Sequence, residues 1–191
     1  LPSGYDMTAT HTVSISASRS LEEWDLGTDL DEVTYDWVPD GSPVTVTRDV
    51  VKTETCNTCH ERLALHGSTG RTTVEGCIMC HQPQSIDPES GNTVDFAVMV
   101  HKIHMGADLP SVQAGNPYFI VGFRNSVHDY SDVVYPADTR RCTTCHAADA
   151  GAAQHDIWYT NPTRVGCGSC HDDVNFATGE NHANLPQPTD N

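Results

Sequence analysis

A formal charge of −16 over 191 residues, 26 acidic against 10 basic side chains, makes nucleic acid and anionic membrane poor partners, because both are recognised through Lys and Arg. Hydrophobic residues make up 37% and aromatics 7%, too little apolar side chain to fill the interior of a domain of this length, so additional apolar bulk is required. The longest apolar run, Phe96 to Val100, is far too short for a bilayer crossing.

In chain order, residues 1–55 read as an N-terminal β-strand arm or subdomain. HTVSISA (11–17), EVTYDWV (32–38) and PVTVTRDVV (43–51) alternate apolar and polar residues as half-exposed strands do, and PDGS at 39–42 supplies a turn between the last two. Three short strands are marginal alone, so they are expected to pack on the remainder of the chain or on another subunit. Residues 56–191 form a second region. Within it, TVDFAVMVHKIHMG (93–106) places Phe96, Met99, Val100 and Ile103 at helical spacing, which predicts an amphipathic helix with Thr93 as N-cap and Gly106 as its stop. The stretch from Leu109 to Asp138 is punctuated by Gly, Pro and Asn and reads mainly as loop with a short extended piece. The tail after Leu185 is polar and Pro-rich, and no 20–50-residue repeat is visible beyond one recurring motif.

That motif is CxxCH: CNTCH (56–60), CIMCH (77–81), CTTCH (142–146) and CGSCH (167–171) take up all eight cysteines. Residues three apart sit on neighbouring turns of a helical segment, so Cys56 and Cys59, Cys77 and Cys80, Cys142 and Cys145, and Cys167 and Cys170 can each reach the two vinyl groups along one porphyrin edge. His60, His81, His146 and His171 then lie beside the iron as proximal ligands. Two other readings compete. The 17 residues between Cys59 and Cys77 fit a zinc ribbon of two CxxC knuckles. Yet chance places a histidine after all four knuckles with a probability of only about 10⁻⁵ at this composition, and zinc does not need them. A disulfide framework, common in exported chains, explains neither the regular gaps nor the histidines. The motifs imply four haem c groups, whose porphyrins also supply the missing apolar bulk.

Four irons need four distal ligands. Seven histidines lie outside the motifs: His11, His66, His101, His104, His128, His155 and His182. Methionine is the rival, at Met7, Met79, Met99 and Met105, but histidine is in surplus and bis-histidine ligation is expected throughout. With both axial positions filled by protein, an iron has no open site for substrate, which favours electron transfer over catalysis. His101 and His104 project from the same side of one helix, so they are expected to serve two different haems.

The runs CNTCHERLALHGSTGR, CIMCHQP, MVHKIHMGADLPSVQAG, VHDYSDVVYPADTRRCTTCH and CGSCHDDVNFATGENH resemble the OmcA/MtrC family of extracellular cytochromes over about residues 38–185. The resemblance implies a haem-packed, mostly irregular and short-helical domain beside a small β region, since such a block forms a pentahaem domain in that family. It also implies distal roles for His66, His101, His104, His128 and His182; His11 and His155 match nothing in the family pattern and read as ordinary surface histidines. In the family a fifth CxxCH follows the GxNH element, whereas none follows before Asn191, so five family-type histidines face four haems. Either one of the five has lost its role or the ligand set is rearranged; in one such rearrangement a histidine such as His11 on the strand arm ligates a haem in the next subunit. Such a bond would make a head-to-tail homopolymer, of the class of tetrahaem extracellular cytochrome filaments that includes OmcE.

The expected function is electron transfer to redox partners or extracellular acceptors, by a non-enzymatic filament subunit. A monomeric periplasmic or secreted shuttle is the alternative, and a haem reductase would need an iron lacking a distal ligand. Numbering from Leu1 without Met reads as an exported chain with its signal removed, and the lack of a cysteine ahead of Cys56 reads as no lipid anchor.

Overall fold

The structure is a computed structural model that describes residues 3–67 and 70–182; the Pro-rich tail after Leu185 lies outside the described residues. The chain divides into two compact units, one of Leu1–Cys80 with Thr143–His155 and one of His81–Cys142 with Asp156–Asn191.

In the first unit, β1 (His11–Ser20) and β2 (Thr28–Trp37) pair as an antiparallel hairpin, in register from His11 opposite Trp37 to Ser20 opposite Thr28. The alternation is as the sequence predicts, but the buried face is the more polar one. Leu30 and Glu32 are under 9% exposed, whereas Ile15, Val33 and Tyr35 on the opposite face are all more than 60% exposed. The reason lies in what Glu32 meets. Its carboxylate accepts hydrogen bonds from the backbone N–H of Thr72 (3.1 Å) and Thr73 (3.2 Å), from Thr73 Oγ1 (3.1 Å) and from Ser14 Oγ (3.0 Å), with Arg71 Nε at 3.6 Å. Thr72 and Thr73 immediately precede α2 (Val74–Cys80), and Thr73 Oγ1 in turn accepts from Gly76 N–H (3.0 Å) in its first turn. Gly76 lies close by: a Cβ there would stand 2.2 Å from the Glu32 carboxylate oxygens, which would then have to shift. Val74 N–H also donates to Thr53 Oγ1 (2.9 Å), which ties the start of α2 to the start of α1 (Thr53–His60).

The third predicted strand is a correction. The turn at 39–41 forms, with Gly41 at φ +84° donating to Val38 O (2.9 Å), but residues 43–49 pair with no strand. Their alternation has no sheet to bury against: Val46 is 72% exposed.

The second unit is organised around α3 (Phe96–Met105). The helix starts two residues later than predicted because Asp95, not Thr93, is the N-cap: its carboxylate accepts from Ala97 N–H (3.0 Å), while Thr93 Oγ1 accepts from Asp95 N–H (3.2 Å). Gly106 ends it as predicted, at φ +46°, where a Cβ would clash with Val133 O. The supposed loop holds α4 (Pro110–Gln113) and a small hairpin of β3 (Phe119–Val121) and β4 (Val127–Asp129). Asp87 fastens that hairpin: it accepts from Ser90 Oγ, from Val121 N–H (2.9 Å) and from the N–H groups of Glu89 and Ser90, and these bonds, Ser90 Oγ foremost, hold its pKa well below the usual carboxylate range. Two short helices, α5 (Ile157–Thr160) and α6 (Arg164–Gly168), follow. Lys102, on α3, makes a largely buried ion pair with Asp172, whose other bonds come from Ser111 N–H (3.0 Å) and Ser111 Oγ (2.6 Å).

Only Leu30, Val38, Val74, Cys77, Leu109, Tyr118 and Ala152 form a buried apolar set among the described residues. This polypeptide does not bury enough apolar surface to account for a stable domain by itself.

Two outcomes follow from these knots. Glu32→Ala leaves the Thr72 and Thr73 N–H groups without their acceptor and is expected to cost about 1–3 kcal/mol in urea unfolding of the protein as isolated from cells. Burial disfavours the Glu32 charge, but the Thr72 N–H and the other donors outweigh it and hold the pKa below the ordinary value. Its stabilisation is therefore complete above the ordinary glutamate pKa, and the gap between wild type and variant should shrink as pH falls below about 4. An unchanged midpoint at neutral pH would show that the hairpin is held by other contacts. Lys102→Met, which strands a buried carboxylate, is expected to cost on the order of 3 kcal/mol, and Asp172→Asn added to it should recover part of that. No recovery would assign the loss to the packing of Lys102 over the Tyr118 ring, 5.6 Å away.

Candidate haem-binding sites

The backbone through the CxxCH motifs is helical or turn-like, as their spacing requires. α1 carries Cys56, Cys59 and His60; α2 ends on Cys80 with His81 next; Cys142–Thr144 is a 3₁₀ turn; and past α6 the N–H of His171 still bonds Cys167 O at 3.0 Å. In every motif one thiol is more buried than the other: Cys56, Cys77 and Cys142 in the first three, Cys170 in the fourth. Burial pushes the Cys56 and Cys170 thiols up from their ordinary pKa and that of Cys77 to about 11.

No disulfide joins any of the eight, and no three His, Cys, Asp or Glu side chains converge as a metal site among the described residues.

The histidines differ in which ring nitrogen they present. A main-chain carbonyl can only accept, so an imidazole nitrogen bonded to one must carry the proton, and the lone pair falls on the other nitrogen. His81 Nδ1 donates to Val94 O (2.8 Å), His101 Nδ1 to Ala97 O (2.6 Å) and His104 Nδ1 to Val100 O (2.8 Å). All three are half-buried and carry their lone pair on Nε2, the arrangement that orients an imidazole towards a metal. His101 and His104 use the same i−4 bond on α3, so their rings are held alike on one side of the helix. Burial lowers the His101 pKa, with the neighbouring His104 adding to it, and so keeps the ring neutral, as an iron ligand must be. His104 also packs edge-on against Tyr135, with ring centres 5.7 Å apart.

The other candidates are placed differently. His60 is exposed at the end of α1, His146 is half-buried after the third motif, and His171 and His182 are exposed. His66 is exposed and held at φ +64°, a left-handed conformation that favours glycine. His128 lies on β4 with Nε2 2.9 Å from Ser126 Oγ. His11 donates from Nε2 to Asp6 O (2.9 Å), between the rings of Tyr5 and Trp37 at 4.8 and 5.6 Å, so its lone pair is on Nδ1.

Paired thiols on helical turns, imidazoles whose Nδ1–H is held by a main-chain carbonyl, and a chain short of apolar core together fit haem c. When bound, that group supplies an iron that takes up and returns one electron. One histidine that sequence reasoning set aside, His155, shares the Nδ1-to-carbonyl bond; nothing in its sequence neighbourhood signals it.

Comparison with known proteins agrees with this assignment. Residues 48–189 match the family described as outer membrane cytochrome MtrC/MtrF-like, domains II/IV. The chain is 32% identical over 145 residues to the multihaem cytochrome MtrC of Shewanella baltica (strain OS185), an alignment covering 75% of this chain and 17% of that protein. Among solved structures it is similar to the outer membrane decahaem cytochrome OmcA (TM-score 0.74, 34% identity, 87% of this chain and 25% of that one). It is similar also to MtrC from Shewanella baltica OS185 (TM-score 0.63, 28% identity, 96% of this chain and 25% of that one). The chain thus spans a quarter or less of the length of these relatives, and no helix among the described residues is long and apolar enough to cross a membrane. From its motifs, its fold and these matches, the chain belongs to the OmcA/MtrC-type multihaem outer membrane cytochromes.

Proposed function

We propose that this chain carries electrons through four c-type haems and works outside the cell as the repeating subunit of a cytochrome filament. The observation that carries the redox reading is the set of four Cys–x–x–Cys–His units on helical or turn backbone, with no disulfide between them. The paired thiols attach the group, His60, His81, His146 and His171 ligate from one side, and histidines drawn from His11, His66, His101, His104, His128 and His182 ligate from the other. Filling both axial positions with imidazole leaves no site for a substrate, which supports a carrier rather than an enzyme and a low potential. The partners are other redox proteins or extracellular acceptors.

The filament reading is supported by the outward face of the β1–β2 hairpin. Val13, Ile15, Val33 and Tyr35 stand between 44% and 68% exposed on one side of a two-stranded sheet, a surface suited to burial against a second copy. The alternative, a monomeric shuttle, needs the same haems and no such contact.

Intact mass together with the pyridine haemochrome spectrum of the denatured protein should give four covalent haems per chain; a count below four would refute the attachment scheme. The ferric protein should be wholly low-spin, and one equivalent of high-spin haem would point to an open iron and to catalysis. Electron microscopy of protein sheared from cells should show filaments, while particles of one subunit's mass would leave the shuttle.

A further inference from the structure

His155 sits in the turn that follows the third CxxCH motif, at the end of the segment 143–155 of the first unit. The turn is held far more tightly than an ordinary surface loop. Asp49 grips it three ways: its N–H donates to Gln154 Oε1 (2.9 Å), its carbonyl accepts from Gln154 N–H (2.8 Å), and its carboxylate accepts from Ala153 N–H (2.9 Å). The same carboxylate is paired with Lys52 at 2.6 Å, and Lys52 is the residue that opens α1, the helix of the first motif. Ala152 is only 4% exposed, and its carbonyl accepts from both the backbone N–H (3.3 Å) and Nδ1 (2.9 Å) of His155.

These bonds fix the side chain as well as the backbone. The Ala152 carbonyl can only accept, so His155 is protonated on Nδ1 and carries its lone pair on Nε2. The ring is half-buried, as are those of His81, His101 and His104, and these four present the same nitrogen in the same way. Two other histidines outside the motifs do not: His11 commits Nε2–H to Asp6 O, and His128 Nε2 is engaged with Ser126 Oγ. A ring whose Nδ1–H is held by a carbonyl can meet iron through Nε2 without changing tautomer.

We infer that His155 is a distal haem ligand, completing the coordination of one of the chain's irons through Nε2. The assignment rests on the four-haem reading above. It adds a histidine that neither the motif spacing nor the family resemblance marks, and it relieves His11 or His128 of that role. Asp49 and Gln154 are then positioning residues, holding the turn from which the ligand is offered.

The test uses the mature protein purified with its haems, and haem content is measured first by the pyridine haemochrome spectrum. That count judges the four-haem reading alone, because attachment depends on the cysteines. In His155→Ala carrying four haems, ferric electron paramagnetic resonance should show high-spin signal equivalent to about one haem in four. Added imidazole should return that haem to low spin. His155→Met retains a ligand for the case in which the alanine variant does not mature, and it should raise the potential of a single haem in a redox titration while the others stay in place. A fully low-spin alanine variant with four haems, or a methionine variant whose titration overlays that of the wild type, would overturn the assignment.

Discussion

The scarcity of buried apolar side chains constrains everything else in this protein. Seven such residues among those described cannot repay the conformational entropy of ordering a chain of this length. The polypeptide compensates locally with polar knots around single carboxylates. Glu32 gathers the start of α2 onto the hairpin, Asp49 holds the 152–155 turn, Asp87 closes the β3–β4 hairpin, and Asp172 joins Lys102 and Ser111. Each knot spends an acidic side chain on main-chain donors, a use for part of the large negative charge that does not involve a partner. Four porphyrins, bound covalently, would supply the apolar interior that the side chains do not.

Chemistry at short range was the most legible layer. The CxxCH spacing demands helical or turn backbone at Cys56–His60 and its three counterparts, and the backbone has that form. The helix over Phe96–Met105 and its stop at Gly106 follow from periodicity and from a residue that tolerates φ +46°. Its first turn was less legible, because Thr93 and Asp95 are both good caps and the choice depends on which side chain reaches Ala97 N–H. The alternation in 43–51 has the form of a strand, but alternation states only that two faces differ and says nothing about whether a neighbouring strand exists to pair with.

The hairpin exposes a second limit of pattern reading. Alternation in β1 and β2 separates an apolar face from a polar one, and the ordinary inference buries the apolar face. Here the polar side carries Glu32, whose carboxylate accepts the N–H groups of Thr72 and Thr73 just ahead of α2. Ring-nitrogen identity was likewise beyond sequence, since it depends on which carbonyl lies near each imidazole. His101 and His104 inherit theirs from the helix repeat, whereas His155 obtains its own from a turn fastened by residues about a hundred positions earlier.

Gly76 has a wider bearing than its size suggests. It immediately precedes Cys77, so a CxxCH motif begins beside a position that a carboxylate on a distant strand approaches closely. A Cβ at 76 would press on the Glu32 carboxylate, the group that accepts the Thr72 and Thr73 N–H groups. A side chain at 76 therefore bears on the hairpin as well as on the second motif.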